Sequence, residues 1–145
     1  MSTGFTNVQD VMENYKSAIY EKDVDKFLSG YASDVHLFDC WENWECNGIS
    51  AWRESVTEWF NGLKEEGVLL KISFADLVVE ESSDVAFANG NVTFAACDES
   101  GKKLRQMTNR FTFGLRKEKD SWKIAHEHSS LPIEMETGKG IFHLK

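Results

Sequence analysis

The chain has 145 residues, of which 41% are hydrophobic and 12% aromatic, and it carries a formal net charge of −8 at pH 7. This length and composition indicate one folded domain. The excess of acidic side chains argues against binding to nucleic acid or anionic lipid, because both need clustered basic side chains. We find no apolar run of membrane-spanning length and no secretory signal, so we expect neither nucleic-acid nor membrane partners.

The cysteines bear on the cellular compartment. Cys40, Cys46 and Cys97 are odd in number and irregularly spaced. Such cysteines are typical of free thiols in a reducing compartment, rather than of a disulfide framework or a zinc site. We therefore predict a cytoplasmic location.

The first third of the chain has the apolar spacing of helices. Thr6 and Gln9 are spaced as a capping box, and apolar residues then recur with helical spacing from Val8 to Ile19. Asp23 can cap a second, shorter helix. A third helix is indicated by an apolar stripe of five residues: Trp52, Val56, Trp59, Phe60 and Leu63.

Strands dominate the rest of the chain. Residues 34–41 form a first predicted strand before the third helix, and alternation of apolar residues begins at Val68. Further strands are predicted at 84–97, 103–117 and 121–131, joined by short polar turns. Helices followed by long antiparallel strands indicate an α+β domain whose helices pack on one face of a sheet.

Two segments carry a resemblance to a known family. Residues 15–39 (YKSAIYEKDVDKFLSGYASDVHLFD), Gly48 at the start of the third helix, and residues 109–132 (NRFTFGLRKEKDSWKIAHEHSSLP) resemble the SnoaL-like branch of the nuclear-transport-factor-2-like, or ketosteroid isomerase-like, superfamily. The resemblance implies a cone-shaped, curved antiparallel or mixed sheet wrapped around three helices, a cystatin-like architecture with a pocket at its open end. We accordingly predict one SnoaL-like domain at 1–133 and a C-terminal tail at 134–145.

Two histidines end the last predicted strand. Successive side chains of a strand alternate between its faces, so His126 and His128 would share a face with Trp122 and Ile124. If that face packs on the helices, both histidines line the pocket, where they can act as general acid or base. The alternative is that both are hydrogen-bonded residues of the core.

A pair of histidines could also begin a metal site. Such a site needs further well-placed ligands, for which His36, Asp39 and Glu127 are the candidates. Glu127, however, points to the opposite side of the strand from the histidines, and no paired metal-binding motif is present. We predict that the chain binds no structural metal and uses no cofactor.

Asp39 is the candidate base of the first strand. It shares a face with Val35, Leu37 and Trp41, and such apolar neighbours raise the pKa of a carboxyl toward neutrality. The resemblance adds that steroid isomerases of this superfamily use an aspartate on the sheet as their base. The alternative is that Asp39 caps a turn or pairs with Arg110.

Arg110 can be placed in two ways. Hydrophobicity alone would turn Phe111 and Phe113 toward the core and Arg110 toward solvent. The resemblance instead implies that Arg110 faces the pocket, and that the opposite, convex face packs against a second subunit. We adopt the second arrangement, which predicts a homodimer whose convex-face contacts include Phe111, Phe113 and Leu115.

Tryptophans are the candidates for the pocket wall. Trp41 and Trp44 flank a loop at the expected pocket mouth, where indole rings supply apolar contact and one N–H donor each. Trp59 is a further candidate, although it shares a helical stripe with Trp52 and core packing is the alternative for both.

The resembled family includes steroid isomerases, polyketide cyclases, epoxide hydrolases and dehydratases, so the activity must be argued from the site. We predict a small-molecule-binding protein that isomerises, cyclises or hydrolyses an apolar carbonyl or carboxylate compound by acid/base chemistry. Asp39, His126 or His128 would move the proton, and Arg110 would stabilise negative charge. The alternative is a non-catalytic association or ligand-sensing module like the hub domain of calmodulin-dependent kinase.

Overall fold

The computed structural model describes residues 4–142 and residue 144. Within this part of the chain the helices are α1 (Val8–Glu21), α2 (Val24–Leu28) and α3 (Ile49–Glu66). The strands are β1 (Tyr31–Phe38), β2 (Cys46–Asn47), β3 (Leu69–Glu81), β4 (Val85–Cys97), β5 (Lys103–Glu118) and β6 (Ser121–Ser130). The predicted α+β class is confirmed. None of the described helices is long and apolar enough to cross a membrane.

The helix starts follow from local side-chain hydrogen bonds. The Asn7 side chain accepts a hydrogen bond of 2.9 Å from the backbone N–H of Asp10 and so caps α1. The predicted cap at Thr6 is therefore wrong by one residue. Asp23 caps α2 as predicted, because its carboxylate accepts from the backbone N–H of Lys26 at 3.0 Å.

The strands form one mixed sheet in the order β2-β1-β6-β5-β4-β3. β1 and β6 run parallel, whereas the other neighbouring pairs are antiparallel. The helices pack on one face, here called the inner face, where the Tyr15 ring of α1 lies 5.6 Å from that of Phe113. The opposite face is called the outer face.

A bulge in β3 interrupts its pairing with β4. The register shifts between Ala75 and Val78, and Asp76 adopts a positive φ of 56°. Gly90 lies opposite the bulge, where a Cβ atom would come within 3.0 Å of the Ala75 carbonyl oxygen. Bulges bend a strand and increase its twist, so this one helps the sheet curve around the helices.

A second irregularity, in β6, decides which face the histidines occupy. Leu115 pairs with Ile124 but Gly114 pairs with His126, so Ala125 is an extra residue between them. One extra residue reverses the alternation of side chains. Beyond it Glu127 takes the inner face, and the expected inward placement of His126 and His128 is wrong.

The side chains of β5 face the way that hydrophobicity alone predicts, and not the way that the family resemblance implies. Phe111, Phe113 and Leu115 are buried on the inner face, with exposed fractions of 6%, 0% and 3%. Arg110 lies on the outer face, where it is exposed and its Nε donates to Ser130 Oγ at 3.2 Å. The expected inward placement of Arg110 is wrong, and Phe111, Phe113 and Leu115 are not available as dimer contacts.

The segment after β6 folds back toward β1. Ile133 and Gly140 form an isolated antiparallel bridge, and the ring of Phe142 stacks on that of Trp41 with centroids 5.6 Å apart. The predicted tail therefore contacts the loop that follows β1.

Candidate functional site

A cavity of about 650 Å³ opens between α3, the loop after β1 and the inner face of the sheet. Its mouth is lined by exposed residues, among them Trp41, Glu42, Glu58 and Arg105. Its floor is lined by buried residues that include Asn109 and Glu127. Among the described residues, six aromatic side chains contribute to the lining: Tyr15, Trp41, Trp52, Trp59, Phe94 and Phe111.

Glu127 is the buried acid of the floor. It is 6% exposed, and Oε1 accepts a hydrogen bond of 2.5 Å from the hydroxyl of Tyr31. The pKa of Glu127 is raised to about 8, mainly by burial and also by the negative charge of Asp39, against the lowering effect of the Tyr31 hydrogen bond. The carboxyl of Glu127 is therefore protonated at neutral pH and can donate a hydrogen bond.

Asp39 is the second carboxyl of the cavity. Although the residue as a whole is exposed, desolvation by the surrounding protein raises the pKa of its carboxyl. Hydrogen bonds from the Ser129 hydroxyl, at 3.1 Å, and from the backbone N–H groups of Cys40 and Trp41 act in the opposite direction. The alternative pairing with Arg110 is not formed, because Arg110 lies on the outer face.

Tyr15 places a hydroxyl in the same cavity. The residue is 4% exposed, and its pKa is raised well above the usual value by burial and then by the charges of Glu127 and Asp39. The hydroxyl therefore remains protonated and is available as a donor. The influence of the two carboxyls on Tyr15 indicates that all three groups lie within electrostatic reach of one another.

Two buried polar atoms beside the cavity lack hydrogen-bond partners among the described residues. They are Oδ1 of Asn109, whose Nδ2 donates to Cys40 Sγ at 3.0 Å, and Nε1 of Trp52. The Trp52 indole is near enough to the Tyr31 hydroxyl to lower its pKa, but it completes no hydrogen bond. Unpaired buried polar atoms are uncommon in folded proteins, and binding sites are one place where they occur.

The structure brings together only part of the predicted site. Asp39, Trp41 and Trp59 line the cavity. Trp44 is 90% exposed and is not part of the lining. His126, His128 and Arg110 lie on the outer face, as described above.

The outer-face histidines contact each other rather than the cavity. His126 Nδ1 lies 2.7 Å from the carbonyl oxygen of His36, and His36 Nε2 lies 2.7 Å from Glu45 Oε1. The rings of His126 and His128 are 6.3 Å apart at their centroids. Over residues 4–142 no cluster of His, Cys, Asp and Glu side chains is able to hold a metal ion.

Sequence reasoning missed two lining residues, Tyr15 and Glu127, and also Tyr31, whose hydroxyl holds the Glu127 carboxyl. Glu127 lies between the two histidines in the sequence, so its side chain points to the opposite face from theirs. It could be assigned to the inner face only by predicting the bulge at Ala125. Tyr15 and Tyr31 lie in apolar patterns that predict core residues, and nothing in those patterns marks a hydroxyl as part of a site.

Comparison with solved structures supports a shared fold. An NTF2-like protein of unknown function from Pseudomonas putida is 27% identical, with a TM-score of 0.84 over 95% of this chain and 93% of that one. A putative calcium/calmodulin-dependent protein kinase II association domain from Xanthomonas campestris is 22% identical, with a TM-score of 0.70 over 85% and 84% of the two chains. An NTF2-like superfamily protein from Salmonella enterica is 17% identical, with a TM-score of 0.65 over 92% and 94%.

Comparison with sequences identifies the family. No curated protein matches the chain significantly. The family model of the SnoaL-like domain matches residues 8–134, which is most of the chain. The resemblance carried by residues 15–39 and 109–132 is therefore confirmed, and the chain belongs to the SnoaL-like domain family.

Proposed function

We propose that the chain is a cofactor-independent enzyme that moves a proton next to the carbonyl group of an apolar small molecule, as an isomerase does. One observation carries the proposal: the buried acid Glu127, whose pKa is raised to about 8, shares an aromatic cavity with the carboxyl of Asp39. Two carboxyls whose environments differ in this way can divide the roles of acid and base between them.

The roles follow from the two environments. Ionised Asp39 takes a proton from the carbon next to the carbonyl. The electron pair of that C–H bond forms a C=C bond, while the π pair of the carbonyl moves onto its oxygen. Protonated Glu127 and the hydroxyl of Tyr15 donate hydrogen bonds to this oxygen and stabilise the enolate. Asp39 then returns the proton to the same carbon or to a conjugated one, which leaves the carboxyl ionised for the next cycle.

The cavity suits an apolar ligand of moderate size. Its volume of about 650 Å³ lies within the usual range for small-molecule sites. Trp41 and Trp59 supply apolar contact along the wall. Because Arg110 is outside, the described residues of the floor offer no cation to a carboxylate, and a neutral carbonyl is the better match to Glu127 and Tyr15.

Hydrogen–deuterium exchange tests the proposal. The chain would be incubated in D2O with a panel of apolar ketones, and exchange next to the carbonyl would be followed by NMR. We expect Asp39→Asn to slow the catalysed exchange by about a hundredfold or more and Tyr15→Phe to slow it less. Asp84→Asn, at an exposed carboxylate between β3 and β4, is the matched control. The proposal is contradicted if no ketone exchanges its hydrogen, or if Asp39→Asn leaves the exchange rate unchanged.

A second candidate role is self-association through the outer face, for which exposed apolar surface is the supporting observation. Phe87 is 47% exposed there, and half-buried Phe38 contacts the rings of His126 and His128. The similar Xanthomonas protein is described as an association domain. We propose that the predicted homodimer forms through this face.

Light scattering at micromolar concentration tests the association. We expect a dimer for the wild type and a shift toward monomer for Phe87→Ser, because a polar side chain weakens apolar contact. Ile133→Ser is the control, since Ile133 is 66% exposed but lies beyond the last strand of the sheet. A wild-type monomer contradicts this role and leaves the proposed chemistry unaffected.

A further inference from the structure

The charged groups at the cavity mouth are predominantly negative. Glu42 and Glu58 line the mouth and are exposed, and the carboxyl of Asp39 lies on the same cavity. The one cationic side chain of the described lining, Arg105, donates from both terminal guanidinium nitrogens to Glu66, at 2.6 and 2.7 Å. That ion pair offsets the charge of the arginine, so among the described residues the carboxylates of the mouth have no cationic partner.

The walls beside these carboxylates are aromatic. Trp41 is 48% exposed and lines the mouth, and Trp59 is half-buried next to Glu58 in the sequence. An indole face attracts a cation placed over it, and tryptophan does so more strongly than the other aromatic side chains. Rings and carboxylates around one opening form the chemical environment that recognises an organic ammonium group.

An unpaired acceptor at the floor of the cavity disfavours an anionic ligand there. Asn109 is 3% exposed and lines the floor, and its Oδ1 has no hydrogen-bond partner in the described part of the chain. A carbonyl oxygen accepts hydrogen bonds and is repelled by anions. It therefore disfavours a ligand that would place a carboxylate at the floor.

We propose that the cavity binds an organic cation: an apolar compound with a protonated amine or quaternary ammonium group seated at the mouth among Trp41, Trp59, Glu42 and Glu58. One part of the inference rests on the proposed function: the carbonyl group of the same compound binds at the floor, next to Glu127 and Tyr15. A cationic ligand takes the place of the carboxylate ligand, which would have needed Arg110 in the cavity.

Three probes of similar shape and different charge test the inference. They are benzyltrimethylammonium, its neutral carbon isostere neopentylbenzene, and the anion phenylacetate, each titrated against tryptophan fluorescence at low ionic strength. We expect the cation to bind about tenfold more tightly than the isostere, from cation–π contact and the adjacent carboxylates. Phenylacetate should bind most weakly. Equal affinity for cation and isostere, tighter binding of phenylacetate, or no binding of any probe overturns the inference.

Charge-neutralising variants locate the site. Glu58→Gln should weaken binding of benzyltrimethylammonium several-fold while leaving neopentylbenzene unchanged, and Glu42→Gln should act in the same direction. Glu65→Gln, at an exposed position of α3 outside the lining, is the matched control and should change neither affinity. A loss of cation affinity that is equal for Glu58→Gln and Glu65→Gln shows a long-range effect of net charge and overturns the assignment.

The two proposals fail in different ways. Ketone exchange that depends on Asp39, together with equal binding of cation and isostere, retains the proposed chemistry and rejects the cationic ligand. Selective binding of benzyltrimethylammonium without any ketone exchange retains the cation site at the mouth and rejects the chemistry at the floor.

Discussion

Tyr31 on β1 donates a hydrogen bond to Glu127 on β6, and the two side chains are 5% and 6% exposed. β1 and β6 are adjacent parallel strands, so this bond joins two distant parts of the chain at the floor of the cavity. The bond fixes the position of the Glu127 carboxyl while burial keeps it protonated. The second carboxyl oxygen is left to carry the proton that a ligand carbonyl could accept.

The first prediction concerns the pH dependence of stability. The pKa of Glu127 is about 8 in the folded protein and near 4.5 for an ordinary glutamate, so only the folded state keeps this proton between those values. The free energy of unfolding should therefore fall as pH rises from about 5 to 8, by roughly 1 kcal/mol per pH unit. Glu127→Gln should remove most of this slope and gain stability relative to wild type at pH 8.

Urea denaturation at several pH values measures this effect. Glu99→Gln, in the exposed turn between β4 and β5, is the control and should keep the wild-type slope. If the wild type and Glu127→Gln show parallel pH profiles, Glu127 does not carry a raised pKa.

The second prediction concerns Tyr31. Tyr31→Phe removes the donor to Glu127 and should lower the free energy of unfolding by about 1–3 kcal/mol, because a buried polar group loses its partner. Tyr20→Phe is the control, since Tyr20 is 42% exposed. Equal stabilities of these two variants in thermal denaturation contradict the importance of the bond.

The third prediction compares two glycines. Gly90→Ala should lower the free energy of unfolding by about 1–3 kcal/mol, because the new methyl group would meet the backbone of the β3 bulge at 3.0–3.1 Å. Gly62→Ala, within α3, meets no atom within 4 Å and should raise stability by about 0.5–1 kcal/mol through its helix propensity. Gly90→Ala with wild-type stability would show that the bulge is not closely packed.

The fourth prediction concerns the segment after β6. Phe142 stacks on Trp41 with an interplanar angle of 23°, so Phe142→Ala should free the Trp41 ring at the cavity mouth. We expect a loss of affinity for apolar ligands of about threefold to tenfold, the usual worth of an aromatic pair. Met135→Ala is the control, because Met135 is 98% exposed. If fluorescence titrations gave the same affinity for Phe142→Ala as for the wild type, the segment after β6 would not contribute to ligand binding.

Most of the fold could be predicted from the sequence because its patterns are local and regular. The alternation that begins at Val68 and the helical stripe that includes Val56 and Phe60 correspond to buried faces of β3 and α3. On β5 the hydrophobic alternation alone placed Phe113 and Arg110 correctly. The error came from giving the family resemblance precedence over burial.

The site was harder to predict because it depends on two features without a local pattern. The bulge at Ala125 reverses the face of every later residue of β6, and no glycine or proline within β6 marks it in the sequence. The hydrogen bond between Tyr31 and Glu127 joins residues that are 96 positions apart. Long-range pairing of this kind is settled by the sheet register, which the sequence of one strand does not determine.

The protonation state of Glu127 at neutral pH is the central claim, and a carboxyl-carbon NMR titration measures it directly. The chain would be labelled with ¹³C at glutamate carboxyl carbons, and Glu127→Gln would assign the resonance by its loss. We predict that this resonance titrates with a midpoint near pH 8, well above the ordinary range of glutamate. A midpoint between about 4 and 5 would mean that Glu127 is ionised at neutral pH, which would contradict its role as the acid of the cavity.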